Sequence, residues 1–207
     1  RKENPMSPAI KQFNYTDILG WSFSRYNTFT TCKRQYYYQY YGKYDTEFQK
    51  QKIDTLKGLT STPLEIGSIV HDLIRDTLRL VATGGKLPTI GELLHRFDKL
   101  KSKYFRKTFA EIYYGEQSQI PEAEITERVK VALDNFLNSP RLQWLLENAI
   151  PHHDKWIIEP SGYGETRINN LKAYCKVDFL FPVDGQIFII DWKTGKKKEE
   201  HRIQLLG

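Results

Sequence analysis

The stretch from Lys172 to Lys193, KAYCKVDFLFPVDGQIFIIDWK, constrains the chain more than any other. Ala173, Cys175, Val177, Phe179 and Phe181 alternate with Tyr174, Lys176, Asp178 and Leu180, the period of two that marks a strand. Pro182-Val183-Asp184-Gly185 supplies a turn: proline fixes φ, aspartate bonds its own backbone and glycine takes positive φ. Ile187, Phe188, Ile189 and Ile190 then predict a strand running to Trp192 and buried on both faces. The stretch predicts two strands joined as a hairpin.

Asp191 and Lys193 interrupt the second strand. Two residues apart, they share one face at about 7 Å, given a rise of about 3.3 Å per residue. An even-numbered loop centred on Val183 and Asp184 sets Asp178 opposite Ile189. Asp191 is then its diagonal neighbour, about 7–8 Å away between backbones. An odd-numbered loop sends the two carboxylates to opposite faces. Two acids and an ammonium converging on an apolar sheet lose solvation, and the acids repel each other. A divalent cation removes that repulsion, and hard oxygen ligands with room for water suit magnesium or manganese. The alternative is an Asp191–Lys193 ion pair at a strand end, with Asp178 solvated. Three residues in phase favour the metal site.

The rest of the chain supplies helices. Ser22 or Ser24 can cap a helix running to about Tyr41, in which Tyr36, Tyr37, Tyr38, Tyr40 and Tyr41 interleave with Lys33, Arg34 and Lys43. Those side chains offer a stacking and phosphate-contact surface, with Arg34 and Tyr36 as candidates. Alternatively one aromatic face is buried and the hydroxyls reach water, the preferred reading for most of these rings. Residues 43–60 predict a mobile polar connector. Thr62, Pro63 and Glu65 give a helix start with Thr62 as N-cap and Glu65 closing a capping box. Ile66, Ile69, Val70, Leu73, Ile74, Thr77, Leu78 and Val81 form its apolar stripe, with His71 at the edge one turn after Gly67, and Gly84-Gly85 ends it. Helices are predicted over 90–118, 122–138 and from Ser139-Pro140 onward. Trp156 to Glu159 predicts the first core strand, and Glu159 or Glu165 is either an accessory acid or, by preference, a surface residue.

Composition narrows the class. At 207 residues, with 40% hydrophobic and 14% aromatic side chains, the chain fits one globular domain, or one carrying a helical insertion. A net charge of +6 favours a polyanionic partner. No apolar run approaches the roughly 18 residues of a membrane span, and residues 1–15 carry no signal-peptide pattern. Two cysteines, Cys32 and Cys175, give no disulfide framework. A cytoplasmic protein without a membrane partner is expected.

An acid at a strand end, a turn, then Asp-x-Lys in an apolar strand resembles the PD-(D/E)XK nuclease superfamily. The wording VDFLF and IFIIDWKTG resembles its RecB-type exonuclease branch, related to AddB and to CRISPR-associated exonucleases. That branch adds an upstream Gly-x-x-x-His helix and a downstream Gln, matched here by Gly67 to His71 and by Gln204. The resemblance implies an α/β fold: a restriction-endonuclease-like central mixed sheet flanked by helices, with a helical insertion between the His helix and the sheet. It implies a single domain over 1–207, helical over about 22–150, with the core sheet over about 154–207. The family continues with a helix and edge strand, so further C-terminal residues are expected beyond Gly207.

The activity implied is a Mg- or Mn-dependent DNA exonuclease of recombination and repair, or of phage and mobile-element DNA processing. His71, Asp178, Asp191 and the carbonyl of Trp192 would hold the metal. Lys193 would orient water and offset charge in the transition state, and Gln204 would steady Lys193 or meet the DNA backbone. Arg34, Tyr36, Lys196 and Lys197 would contact nucleic acid, as single strand or duplex end, with a helicase or other recombination protein as partner. Three rivals remain at this level: a non-catalytic nucleic-acid-binding module, an iron–sulfur nuclease of the CRISPR or AddB kind, and a restriction-type endonuclease.

Overall fold

The computed structural model describes residues 20–160, 164–196 and 201. The chain opens with a short strand β1 (Gly20–Trp21) and two helices, α1 (Phe23–Thr31) and α2 (Lys33–Tyr41). A 3-10 turn (Gly42–Tyr44) leads to α3 (Lys50–Gly58) and the long α4 (Thr62–Ala82). Then come α5 (Ile90–Tyr104), α6 (Ala110–Tyr113), α7 (Glu122–Leu137), α8 (Pro140–Asn148) and a 3-10 segment (Ile150–Lys155). The strands β2 (Ile157–Ile158), β3 (Gly164–Ile168), β4 (Leu171–Cys175), β5 (Phe179–Val183) and β6 (Gln186–Ile190) follow. Helices flank two small sheets, one mixed (β1-β4-β3) and one antiparallel (β2-β5-β6), in the expected α/β class of the restriction-endonuclease type, and α5 to α8 fill the interval between the His71 helix and the hairpin.

The core forms on α4. Its predicted stripe is buried throughout, and Ile66, Ile69, Val70, Leu73, Ile74 and Leu78 are no more than 3% exposed. Against it pack Leu93 and Phe97 of α5, Ile125, Val129 and Leu133 of α7, and Leu142 and Leu145 of α8. Phe179 and Phe181 of β5 close the core, Phe181 stacking on Phe188 at 5.5 Å and Phe179 meeting Trp156 at 5.0 Å.

Several local expectations change. The helix expected from residue 22 to 41 breaks at Cys32, whose extended backbone ends α1 and whose Sγ accepts from Gln35 N–H at 3.4 Å to start α2. No residue of α1 or α2 is buried, so the buried aromatic face is absent. Instead Arg25 donates to the hydroxyls of Tyr36 (2.9 Å) and Tyr41 (3.1 Å). The connector 43–60 contains α3, anchored by Ile53 at 5% exposure. Ser61, not Thr62, is the N-cap of α4, and no capping box closes. Glu111, distant in sequence, accepts from Thr62 N–H at 2.8 Å, and Glu65 turns to Thr60 and Lys107. The helix expected over 90–118 ends at Tyr104 and resumes only as α6.

The hairpin is present, shifted by one residue. Val183 pairs with Gln186 and Phe179 with Ile190, so the turn is centred on Asp184 and Gly185. Both take positive φ, 49° and 76°, the primed geometry that matches strand twist. Continued one step outward, that register sets Asp178 level with Asp191 rather than diagonal to it. The second strand packs on the core by one face only: Phe188 and Ile190 are half-buried, while Ile187 and Ile189 are 68% and 50% exposed. The run 173–181 is not one strand either. β4 joins a sheet of order β1-β4-β3 and β5 one of order β2-β5-β6. Asp178 lies in the break between them.

Candidate active site

Three distant parts of the chain meet where β4 gives way to β5. His71 comes from the third turn of α4, Glu159 from the end of β2, and Asp178 from the break. The loop 191–196 after β6 closes over them. Glu159 takes a φ of 34°, and its N–H donates to the carbonyl of Asp178 at 2.8 Å, extending the β2–β5 ladder by one rung.

Trp192 fixes two of the three side chains with its own peptide groups. Its N–H donates to Asp178 Oδ2 at 2.8 Å, and its carbonyl lies 2.9 Å from His71 Nε2. A carbonyl can only accept, so Nε2 carries the proton. That leaves Nδ1 facing Glu159 Oε1 and Asp178 Oδ2, each at 3.6 Å. The indole packs edge-on against Phe136 at 5.4 Å, anchoring the loop in the core.

Below this shell, α4 presents His71, Arg75 and Arg79 at intervals of four, one above the other on the helix. Arg75 Nη1 reaches Glu159 Oε2 at 3.4 Å and also pairs with Asp72. Arg79 donates to the carbonyls of Ile158 (3.3 Å) and Glu159 (3.4 Å). Asp72 also accepts from Lys103 (2.9 Å) and Tyr104 (2.7 Å), tying α5 into the network.

The charges are mutually adjusted. Burial pulls the His71 imidazole toward neutrality, but Glu159, Asp178 and the Trp192 carbonyl outweigh it and raise its pKa. Burial raises the Asp178 carboxyl, and repulsion from Asp191 and Glu159 adds to it despite the Trp192 bond. Burial also works against the Glu159 carboxylate, yet His71 and Arg75 hold its pKa below the ordinary value. Two acids and an imidazole whose ligand atoms lie within 4.8 Å of one another form a donor set that a divalent cation fits. They line a cleft of about 540 Å³ whose other walls include Gly67, Lys176, Lys193, Lys196 and His201. The floor is acidic and the rim basic, a distribution that accepts a cation and a phosphate together.

The expected residues divide. His71, Asp178 and the Trp192 carbonyl come together, although that carbonyl faces His71. Glu159 joins them, against the preference for a surface position: its side chain is 12% exposed. Glu165 lies on the other sheet, paired with Arg167 at 3.0 Å. Strand β6 ends at Ile190, so Asp191 and Lys193 sit in the following loop and close on each other at 2.6 Å. Asp191 lines a neighbouring cavity of about 720 Å³ against α7 and α8, while Lys193 borders both spaces. Lys196 is on the cleft rim. Arg34 lies on α2, and Tyr36 is engaged by Arg25. Gln204 and Lys197 lie outside the described residues. Residue-level reasoning missed Arg75 and Arg79, whose spacing from His71 was the available signal.

Comparison with known proteins adds one finding. A family model described as the PD-(D/E)XK nuclease superfamily matches residues 20–206. No curated protein and no solved structure matches the chain. Among the described residues no helix is long and apolar enough to cross a membrane. With His71, Asp178 and Asp191-Trp192-Lys193 all inside the matched span, the chain belongs to the PD-(D/E)XK nuclease superfamily, whose members cut nucleic acids, usually with a divalent metal ion.

Proposed function

We propose that this chain is a Mg- or Mn-dependent deoxyribonuclease of the RecB-type branch, acting from DNA ends as an exonuclease in recombination, repair or mobile-element DNA processing. The observation that carries this is the convergence of His71, Glu159 and Asp178 within 4.8 Å, in the same cleft as Lys193. His71, Asp178 and Glu159 would hold the metal, with Asp191 drawn in from one side. The cation supplies Lewis acidity, neutralising the scissile phosphate and making water more acidic.

The chain's own groups do the positioning. Trp192 holds the His71 ring with Nδ1 turned to the carboxylates. Arg75 and Arg79 hold Glu159 and the end of β2 from the helix side. Lys193 keeps two ammonium donors after pairing with Asp191, enough to orient water and meet charge developing on the phosphate. Phosphoryl transfer depends more on such positioned charge than on a protein nucleophile. Gln204 would steady Lys193 or meet the backbone, and Lys196 and Lys197 would meet phosphates beyond the cut. A single nuclease unit, a helicase or recombination partner and a cytoplasmic setting complete this reading.

End-labelled linear and covalently closed circular DNA, incubated with magnesium, manganese or EDTA, test it. Shortening of the linear DNA from its ends with either metal, with circles intact and EDTA blocking the reaction, is the expected result. Cleavage of circles at the same rate would overturn the exonuclease assignment, and cleavage in EDTA would overturn the metal.

A further inference from the structure

A second groove, of about 830 Å³, runs between α2 and α3. Arg34, Lys52 and Lys57 line it, with no acidic side chain among the lining residues. Tyr38 and Phe48 form its aromatic wall, edge to face at 5.8 Å. The Arg34 guanidinium lies 5.8 Å from the Tyr38 ring and the Lys52 ammonium 5.7 Å from the Phe48 ring. The surrounding segment is basic, with seven Lys or Arg against three Asp or Glu between residues 22 and 58.

The groove adjoins the catalytic cleft. Leu64, on the first turn of α4 and 64% exposed, lines both. Cations beside half-buried aromatic rings that line the groove suit a chain that offers phosphates and unstacked bases together, which is single-stranded nucleic acid. A duplex keeps its base faces stacked inside and meets only the charges. An acidic peptide matches the charges but leaves the rings without a stacking partner.

We infer that the α2–α3 groove binds the single-stranded segment of the DNA whose end lies in the catalytic cleft, the strand crossing Leu64 between them. Arg34 and Lys57 contact phosphates, and Tyr38 and Phe48 stack bases. This rests on the nuclease reading above for what occupies the cleft, but binding in the groove is measurable without cleavage.

The experiment is anisotropy titration of a 20-nucleotide oligo(dT) in EDTA, with the wild-type chain, Arg34→Ala/Lys57→Ala, and Lys86→Ala/Lys130→Ala. The third removes the same charge from side chains lining neither space. Losing two single-strand phosphate contacts lowers the log–log salt slope by about 1.4, which is roughly 25-fold in affinity at 0.1 M salt relative to 1 M. That loss is expected for the groove pair and not for the control pair. A strand carrying 5-iododeoxyuridine is expected to crosslink to a peptide containing Tyr38 or Phe48. Wild-type affinity in the groove pair, an equal loss in the control pair, or crosslinks only elsewhere would overturn the inference. Equally tight binding of a 20-base-pair duplex or of polyglutamate would also overturn it. If oligo(dT) binds in this way but no DNA is cut with magnesium or manganese, the nuclease reading fails and the groove stands. If DNA is cut and the groove pair binds normally, the groove alone fails.

Discussion

Lys193 separates charge from coordination at the scale of single residues. Its ammonium lies 2.6 Å from Asp191 and borders the cleft, but it has donors and no lone pair, so it cannot ligate a cation. Lys193→Ala should therefore leave metal affinity unchanged or slightly higher, because a positive charge beside the cation is gone. The chemical step should fall by roughly 10²–10³-fold, as when one preorganised charge-stabilising donor is removed. Lys193→Arg should not restore it, since a planar fork does not occupy the place of a compact ammonium. Single-turnover cleavage and calorimetric metal titration of both variants check this; metal loss as severe as in Asp178→Ala would refute the role. The same residues mark what the sequence made legible. Asp178, His71 and Asp-x-Lys could be picked out because their types and order are unusual in an apolar strand and an amphipathic helix. Glu159 could be named only as one of two alternatives with Glu165, and not preferred, since its role comes from one rung of ladder beyond β2 and a positive φ, neither of which has a residue pattern. The Asp191–Lys193 contact was half legible: two residues in phase on a strand, but brought together only because β6 stops at Ile190.

At the scale of elements, helix α4 carries a glycine that its own helicity disfavours. Gly67 lines the cleft one turn before His71, and a Cβ placed there would meet only Thr194 Oγ1, at an ordinary 3.6 Å. Gly67→Ala should stabilise the helix by about 0.5–1 kcal/mol and narrow the space above His71. The expected outcome is a higher unfolding midpoint with slower DNA cleavage; equal or faster cleavage would show that the glycine serves no approach by substrate. Helix α5 offers a purely structural counterpart. Thr89 and Glu92 form a full capping box, and Thr89→Ala should cost about 1 kcal/mol at neutral pH, read by denaturant unfolding. Hydrogen bonds from the Thr89 N–H and hydroxyl hold the Glu92 carboxyl below its ordinary pKa. A depressed pKa gives stability that is complete above the unfolded value and lost as pH falls through the folded one. The gap between wild type and Thr89→Ala should therefore narrow in acid. This box was as readable in residues 89–92 as the one expected at Thr62–Glu65, yet only the first forms. At the second, Glu111 arrives from 49 positions away and takes the cap, a tertiary contact that local signals do not carry. The hairpin shows the same limit at one residue's resolution: Pro182 and Asp184-Gly185 both promise a turn, and the pair able to adopt positive φ sets the register.

For the molecule as a whole, the candidate metal donors come from three parts far apart in sequence. His71 belongs to the helical core, Glu159 to the end of β2, and Asp178 to the break between the two sheets. A cation joining them ties α4 to the end of β2 and to the segment just before β5, and replaces the repulsion between Glu159 and Asp178 with attraction. It binds the folded arrangement only, because in the unfolded chain positions 71, 159 and 178 are far apart. Binding then appears as global stability, RT ln(1 + [M]/Kd), or about 2.7 kcal/mol when the metal is at 100 times its dissociation constant. For a chain of this size, each kcal/mol moves the unfolding midpoint by about 2–4 °C. Manganese should thus raise the midpoint by roughly 5–11 °C, with calcium as a non-catalytic comparison and EDTA reversing the shift. His71→Ala and Asp178→Ala should each abolish most of the shift, and Glu159→Gln should reduce it, while the lost pairing with Arg75 and His71 lowers the apo midpoint. The manganese shift of Glu159→Gln, measured against its own apo midpoint, is the decisive number. A carboxylate that only pairs with Arg75 and His71 would leave the apo protein less stable when neutralised and the manganese shift intact. A carboxylate that faces the cation would lose much of the shift.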